Sequence, residues 1–308
     1  MDRAIKIVDL ALDAYGPPIY VNHEIVHNHH VVDRLSKRGA VFLQSLEDAP
    51  PGSRLIYSAH GVPPSLREQA RARNLIELDA TCPLVTKVHL EALKYVNQGC
   101  HIYLIGHANH IEVEGTYGEA PDHITIVEPE SGETLERTIA QLPDPPTDKL
   151  RYLTQTTLNV NECYRVVDAL KKRFPTLKAP PTEDICYATT NRQDAVKGVA
   201  HKTDFFIVVG ANISSNSKRL VEVAREEGTP AELFQGVEEL RGYNLSAYQT
   251  IGVTSGASTP DLLVDEILEY LASLGFDDVR TYNHVEETLE FNLPYEFRKE
   301  LETKGIPV

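Results

Sequence analysis

Residues 75–93, LIELDATCPLVTKVHLEAL, and residues 184–196, DICYATTNRQDAV, share one local pattern. In each stretch an aspartate stands two or three residues before a cysteine, and a helical pattern begins directly after that cysteine. Cys82 is followed by Pro83, which suits the first position of a helix because its missing N–H would have no partner there. Cys82 and Cys186 are therefore each predicted where a strand gives way to a helix.

The position of these two thiols indicates reactivity. A thiol at a helix N-terminus lies near the positive end of the helix dipole, which favours the thiolate, the form that binds metal or attacks an electrophile. The alternative is that both cysteines are small buried hydrophobic residues. Their repeated placement in the same kind of loop favours the reactive interpretation.

The composition limits the class of protein. A chain of 308 residues with 42% hydrophobic side chains describes a globular protein of about two to three domains. It has neither an apolar run of about 20 residues nor the layout of a signal peptide, so we expect a cytoplasmic protein without a membrane partner. The net charge of −15 argues against a nucleic-acid partner. The four cysteines lack the spacing of a secreted disulfide framework.

Strands and helices alternate along the chain in three stretches of similar construction, which predicts an α/β fold with mostly parallel sheets. The predicted parts are unit 1 (1–82), unit 2 (83–182), unit 3 (183–275) and a C-terminal tail (276–308) that is polar and lacks a clear core pattern. The clearest predicted strands are His101–Ile105, Ile124–Val127, Leu150–Thr154 and Phe205–Val209. The chain begins inside a helical pattern, which predicts a strand and a loop upstream of Met1.

Polar side chains concentrate in the loops that follow the predicted strands. Parallel sheets bind ligands at the carboxyl ends of their strands, and helix N-termini at that edge favour anions. These loops offer hydroxyl, amide and imidazole groups without Lys or Arg, so we expect a phosphate-sized anion. Each Ser or Asn could instead cap a helix, and each His could be a solvated loop residue. The predicted anion donors are His27, His60, His110, Ser214, Ser215, Asn216 and Ser258.

Two other features leave alternatives open. The histidines at positions 23, 27, 29 and 30 could hold a metal ion, but a solvated surface cluster is the commoner case, and His27 with Asn28 fits an anion site better. Glu112, which is predicted to lie in a loop among histidines, is either a general acid whose pKa is raised by burial or a surface carboxylate.

Six motifs together resemble the hydroxymethylbutenyl diphosphate reductase family, also called LytB or IspH. They are DATCPLVTKVH (79–89), GHANHIEVEGT (106–116), TQTTLNV (154–160), DICYATTNRQ (184–193), ANISSNS (211–217) and TSGAS (254–258). The likeness extends from Asp2 to about residue 270. It implies a trefoil of three α/β units around a central [4Fe-4S] cluster. The implied reaction removes an allylic hydroxyl with two electrons and two protons and gives isopentenyl and dimethylallyl diphosphates, the last step of the non-mevalonate isoprenoid route.

The resemblance also implies a role for individual residues. Cys82 and Cys186 match two of the three cluster thiolates, Glu112 matches the proton donor, and Thr156 matches the residue that positions the substrate hydroxyl. An external electron donor of the ferredoxin or flavodoxin type is implied as a partner. The implied diphosphate pocket consists of His27, His60, His110, Ser214, Ser215, Asn216 and Ser258.

The first cluster cysteine of the family has no counterpart in this sequence. The family carries it in a loop of the Gly-Phe-Cys-Ala-Gly type directly before the residues that match Asp2-Arg3-Ala4, and Met1 stands where the family usually has Val. We therefore expect a translation start placed too far downstream. The alternative is a truncated, cluster-deficient member that binds diphosphates without turnover. Cys100 and Cys163 are poor substitutes, since one precedes its strand and the other lies inside a helix.

Overall fold

A computed structural model describes residues 1–307, and this part of the chain forms three separate parallel β-sheets with helices around them. The predicted α/β class with parallel sheets is confirmed. The unit boundaries at 82/83, 182/183 and 275/276 stay a prediction.

Unit 1 contains a four-stranded sheet and three helices. In chain order its elements are α1 (Asp2–Tyr15), β1 (Ile19–Asn22), α2 (His29–Lys37), β2 (Ala40–Leu43), β3 (Arg54–Tyr57), α3 (Pro64–Ala72) and β4 (Ile76–Asp79). The strands pair in parallel in the order β2-β1-β3-β4. Helix α1 buries Ile7, Val8 and Ala11 against β1, which matches the apolar face of its sequence.

Unit 2 repeats this construction around a three-stranded sheet. Its elements are α4 (Pro83–Asn97), β5 (His101–Ile105), α5 (Ile111–Tyr117), β6 (Ile124–Val127), α6 (Gly132–Gln141), β7 (Leu150–Thr154) and α7 (Val160–Arg173). The strands pair in parallel in the order β6-β5-β7. Every residue of the central strand β5 is buried, as expected for a strand with helices on both faces.

Unit 3 has the same arrangement. Its elements are α8 (Tyr187–Ala200), β8 (Phe205–Val209), α9 (Ser215–Glu226), β9 (Ala231–Phe234), α10 (Val237–Arg241), β10 (Ile251–Ser255) and α11 (Asp261–Ser273). The strands pair in parallel in the order β10-β8-β9, with the fully buried β8 in the centre. Because the strands of each sheet are parallel, the loops at their carboxyl ends gather on one edge.

The segment after unit 3 is part of the packed structure. It ends in helix α12 (Tyr295–Thr303), and Leu293, Phe297 and Leu301 lie in the hydrophobic core that α1 and β1 form. The prediction that residues 276–308 lack a core pattern is therefore wrong for the part around α12. Phe297 and Leu301 are spaced four residues apart, so they lie on one face of a helix whose other residues are mostly charged, and Leu293 precedes that helix.

No helix within residues 1–307 is long and apolar enough to cross a bilayer.

Candidate active site

The two cysteines begin their helices with the same backbone geometry. Cys82 caps α4 with φ −57° and ψ 132°, and Cys186 caps α8 with φ −59° and ψ 134°. The N–H of Cys82 donates to the carbonyl of Ala59, and the N–H of Cys186 donates to the carbonyl of Thr156, each at 2.9 Å. The likeness between the two cysteine stretches in the sequence is therefore a likeness in structure.

The thiols of Cys82 and Cys186 are both half-buried and lie near each other. Burial is the largest influence on the pKa of Cys186 and raises it, and a negative charge on Cys82 raises it further. The N–H groups of Ala188 and Thr189 lower this pKa but do not offset burial. The helix start therefore favours the thiolate of Cys186 as predicted, but burial outweighs this effect and the net shift of the pKa is upward.

Cys100 and Cys163 lie away from this pair. Both are buried in hydrophobic clusters of unit 2, with 5% exposure each. Burial, together with the carboxylates of Asp184, Glu183 and Glu162, raises the pKa of Cys163 to about 12. Neither thiol can replace a ligand beside Cys82 and Cys186 without a rearrangement of the core.

Glu112 lies in the first turn of α5, and its carboxyl group faces the loop after β7. The N–H of Thr156 donates to Glu112 Oε1 at 2.5 Å, and the Thr156 hydroxyl bonds to Oε2 at 3.0 Å. Burial raises the pKa of Glu112 to about 7, while the two bonds from Thr156 act in the opposite direction. The prediction that Glu112 lies in a loop is wrong, because the residues after His110 form a short helix. Burial at 3% exposure excludes the surface alternative.

A buried ion pair fixes the loop that leads to Cys186. The Asp184 side chain is fully buried and accepts the N–H of Thr154 at 3.0 Å. Lys87, from the helix that Cys82 begins, donates to the other Asp184 oxygen at 3.0 Å and to the carbonyls of Thr182 and Glu183 at 2.9 Å. One lysine thus joins the helix of one cysteine to the loop of the other.

Three histidines meet where units 1 and 2 face each other. The rings of His27 and His60 stack with centroids 4.1 Å apart. The His110 ring stands edge-on to both, with centroids 5.6 Å from His27 and 6.1 Å from His60. These residues lie in the loops after β1, β3 and β5, and these loops come together as predicted for the carboxyl ends of parallel strands.

The hydrogen bond of His110 defines which of its ring nitrogens carries the proton. His110 Nδ1 accepts the N–H of Glu112 at 3.2 Å, so the ring proton of neutral His110 is on Nε2. Within the described residues, Nε2 of His110 and Nε2 of His60 are buried without a hydrogen-bond partner. Burial lowers the pKa of His110 to about 3 and that of His60 well below its usual value, so both are neutral at pH 7.

The start of α9 holds three of the predicted donors of unit 3, namely Ser214, Ser215 and Asn216. Ser214 caps the helix, and its hydroxyl accepts the N–H of Ser217 at 3.3 Å. An added Cβ at Gly210 or Gly256 would come within 2.3 or 2.1 Å of the Ser217 hydroxyl, so both positions require glycine. Ser214 thus caps α9, but its oxygen is the acceptor in both of its hydrogen bonds, which leaves its hydroxyl hydrogen available to a ligand. The loops after β8 and β10 close tightly around α9.

The other unit 3 donors differ in their partners. Ser215 Oγ lies 3.1 Å from the Thr157 hydroxyl of unit 2. Ser258 donates to the carbonyl of His27 at 3.2 Å and so joins unit 3 to unit 1. Asn216 is 6% exposed, and neither polar atom of its side chain has a partner among residues 1–307.

Gln155 is a site residue that the sequence analysis missed. It is 1% exposed, and its Oε1 accepts the N–H of His107 at 3.1 Å. Its Nε2 donates to the hydroxyls of Thr157 at 2.8 Å and Ser215 at 3.3 Å. Its position next to Thr156, at the carboxyl end of β7, could have identified it in the sequence as a candidate site residue.

The residues fit a bound anion and part of a cluster. Polar side-chain atoms of His60, His110 and Asn216 are buried without a partner among residues 1–307, so they are available to a ligand with many acceptor oxygens. Cys82 and Cys186 are neighbouring thiols at helix starts and fit two ligands of an iron–sulfur cluster. The described chain holds no group of three or more His, Cys, Asp or Glu placed to bind a metal ion.

Residues 1–272 match the family model described as LytB protein. The chain is 50% identical over 310 aligned residues to a 4-hydroxy-3-methylbut-2-enyl diphosphate reductase of Acidothermus cellulolyticus, an alignment that covers 100% of the chain and 89% of the relative. The enzyme of the same name from Streptomyces coelicolor is 50% identical over 303 residues, which cover 98% of the chain and 88% of the relative.

Solved structures give the same result. The E-1-hydroxy-2-methyl-but-2-enyl-4-diphosphate reductase of Plasmodium falciparum superimposes with a TM-score of 0.93 at 40% identity, covering 99% of this chain and 94% of that one. A structure titled as (E)-4-hydroxy-3-methyl-but-2-enyl diphosphate reductase, the terminal enzyme of the non-mevalonate pathway, superimposes with a TM-score of 0.60 at 28% identity, covering 88% and 94%. By sequence over nearly its whole length and by fold, the chain belongs to the LytB family.

Proposed function

We propose that the chain reduces (E)-4-hydroxy-3-methylbut-2-enyl diphosphate to isopentenyl and dimethylallyl diphosphates. The observation that carries this proposal is the buried pair of Glu112 and Thr156. Thr156 accepts the N–H of Cys186 through its carbonyl and bonds to Glu112 through its hydroxyl. A carboxylic acid and a hydroxyl group thus lie beside the backbone turn that carries the Cys186 thiol, and removal of a hydroxyl by protonation and reduction requires such groups together.

The diphosphate binds among the unpaired donors. Neutral His60 and His110 each direct a polar nitrogen into the buried region, and Asn216 adds an amide. Hydrogen bonds to an anion are stronger than those between neutral groups, so these donors hold a diphosphate although the chain has a net charge of −15. We propose that Ser214, Ser215, His27 and Ser258 complete this pocket.

Cys82 and Cys186 would hold two irons of a [4Fe-4S] cluster. When bound, the cluster would pass on the two electrons of the external donor one at a time and would provide an iron that acts as a Lewis acid toward the substrate hydroxyl. Burial raises the pKa of Cys186, so a metal ion that binds there would have to displace the thiol proton.

Glu112 delivers the proton to the leaving group. With a pKa of about 7, about half of the Glu112 carboxyl groups hold a proton at pH 7, and the Thr156 hydroxyl is in contact with this carboxyl group. The carbon–oxygen bond breaks, the hydroxyl leaves as water with this proton, and the two electrons stay on the allyl group. A second proton adds to a carbon and gives one of the two product isomers. The sum is one alcohol, two electrons and two protons to one alkene and one water.

We further propose that a ferredoxin or flavodoxin in the cytoplasm supplies the electrons. Neither protein is needed for the geometry described above, so the identity of the donor is tested separately, by reduction of the purified enzyme with each candidate.

Iron analysis tests the proposed function. The chain is purified without oxygen beside a version extended upstream in its reading frame, and iron, sulfide and turnover of the allylic diphosphate are measured. The expected result for a competent enzyme is a brown protein with about four iron and four sulfide per chain. A colourless protein that still binds the diphosphate would instead favour a cluster-deficient member that binds without turnover. Upstream codons without a cysteine would contradict the expectation of a misplaced start.

A further inference from the structure

We propose that residues 276–303, here called the strap, hold the Cys82 loop and helix α8 in a fixed relation, with Arg3 as the positioning residue between them. The inference rests on the proposed function only in treating Cys82 and Cys186 as partners in one site. The matched family segment ends at residue 272, so the strap lies outside it.

The first half of the strap runs along α8. The Tyr282 ring lies against Gly198, where an added Cβ would come within 2.5 Å of the tyrosine hydroxyl. Asn191 donates to Glu287 at 3.0 Å. Tyr187, the residue after Cys186, donates to the carbonyl of Leu289 at 3.4 Å. The strap thus follows the helix back to the turn that carries the thiol.

The strap then reaches Arg3 in the first turn of α1. Arg3 Nε donates to the carbonyl of Asn292 at 2.7 Å. Its Nη1 donates to the carbonyl of Thr81, the residue before Cys82, at 2.9 Å, and lies 3.5 Å from the carbonyl of Ala80. The guanidinium group is planar and rigid, so bonds from two of its nitrogens fix the distance between the strap and the Cys82 loop.

The second half of the strap is anchored in a core. Leu301 is 0% exposed and Phe297 is 3% exposed, and both pack against α1. The Phe297 ring lies 6.4 Å from that of Tyr15 at the end of α1. Movement of the strap would expose these side chains, so the anchored end resists displacement by the free energy of their burial.

This arrangement matters because the two thiols come from different units. Residues that must share one cofactor need to be held to within about 0.5 Å, and supporting contacts provide that precision. Lys87 links the two cysteine stretches on one side, through Asp184. The strap and Arg3 provide a second link between them. The bond from Arg3 to the carbonyl of Thr81 restricts movement of the next residue, Cys82.

The reactivity of the thiols tests the strap. The full chain is prepared without a cluster, and each of its four cysteines is followed by alkylation with iodoacetamide and peptide mass spectrometry. Arg3→Met should raise the alkylation rate of Cys82 about three- to tenfold, because local opening of its loop becomes easier. The double variant Tyr282→Ala/Glu287→Ala should raise the rate of Cys186 instead. Arg298→Met is the control, since Arg298 is an arginine of α12 that pairs with Glu302 of the same helix.

Each outcome decides the question. Unchanged rates in both variants, or rates equal to those of the Arg298→Met control, would overturn the strap as a positioning element. Equal acceleration at all four cysteines, including buried Cys100 and Cys163, would also overturn it, because that pattern reports loss of the whole fold. Since no cluster and no turnover are needed, failure here leaves the proposed function untouched, and failure of the iron analysis leaves the strap untouched.

Discussion

At Glu112, burial and hydrogen bonding act in opposite directions on one carboxyl group. Burial favours the neutral acid, and the two bonds from Thr156 favour the carboxylate, with a resulting pKa of about 7. Gln at this position has the same shape and can keep both contacts, because the Thr156 hydroxyl accepts as well as donates. Gln at this position therefore removes the acidic proton and keeps the hydrogen bonds to Thr156.

We expect Glu112→Gln to lower kcat about 100- to 1,000-fold, in the range that general acid catalysis contributes. Affinity for the diphosphate should change less than about twofold, since the carboxyl group lies outside the proposed pocket for the phosphates. Steady-state turnover and calorimetric titration measure the two quantities. Glu114→Gln, an exposed change in the same helix, is the control. An active Glu112→Gln variant would remove Glu112 from the mechanism.

The pH dependence follows from the same pKa. The folded state holds the Glu112 proton up to about pH 7, whereas the unfolded chain releases it near 4.5. Between these values the folded state binds more protons, so this group makes the protein less stable as pH rises. We expect kcat to fall above about pH 7, and Glu112→Gln to remove part of the loss of stability between pH 4.5 and 7. Denaturant unfolding across this range gives the answer, and an identical slope in both proteins would contradict it.

His110 has two separate tasks, and one substitution distinguishes them. Its Nδ1 accepts the N–H of Glu112, while its Nε2–H faces the anion region. Asn can still cap the helix through its amide oxygen but cannot reach the anion. We expect His110→Asn to weaken binding of inorganic pyrophosphate about 10- to 100-fold, the value of one hydrogen bond to a charged group, with little change in the melting temperature.

Calorimetry with pyrophosphate measures this effect. His201→Asn, at an exposed position after α8, serves as the control. If His110→Asn binds pyrophosphate as well as the unchanged chain does, the anion contacts other groups and the proposed pocket is wrong.

At the scale of elements, Lys87 joins helix α4 to the loop before α8. Removal of one partner of a buried ion pair leaves the other charge without compensation. Because the Lys87 side chain is 25% exposed, solvent screens part of the pair, and we expect Lys87→Met to reduce the free energy of unfolding by about 1–3 kcal/mol. Asp184→Asn in addition should restore some of that loss. Lys94→Met, an exposed change in the same helix, should have almost no effect on denaturant unfolding.

The sequence predicts some elements well because their signals are local. Strands β5, β6, β7 and β8 have the predicted bounds, since each is a short run of apolar residues between turn residues. Helix α5, which follows the histidine-rich turn, was missed because it is only seven residues long and contains Gly115. Strand β9 was missed because Ala231–Phe234 is short and has an exposed glutamate in second position.

The site is predictable in its residues and less so in its contacts. Position at the end of a parallel strand is enough to select His60 and His110, because all such loops gather on one edge, whereas Thr156 was expected only from the resemblance to the family. No local pattern says which loops of different units touch. The bonds of Gln155 to Ser215 and of Arg3 to the carbonyl of Thr81 depend on how the units pack, and the sequence analysis did not find them.

At the scale of the whole molecule, the chain returns to unit 1 after it has completed unit 3. Leu301 of α12 is 0% exposed in the core of α1. We expect Leu301→Ala to destabilise the protein by about 2–4 kcal/mol, the usual cost of such a change in a core. Leu289→Ala, at a position of the strap with 55% exposure, should cost less than about 0.5 kcal/mol. Equal unfolding midpoints for the two variants would show that α12 is not part of the core.

The return of the chain to unit 1 also sets an order of events during synthesis. The sheets of units 2 and 3 are each built from one continuous segment of the chain, so each can fold as soon as its segment has left the ribosome. The first sheet is made earliest, yet its core stays incomplete until Leu293, Phe297 and Leu301 have been translated. The oldest part of the nascent polypeptide is therefore the last to be finished, and its apolar surface must be shielded in the meantime.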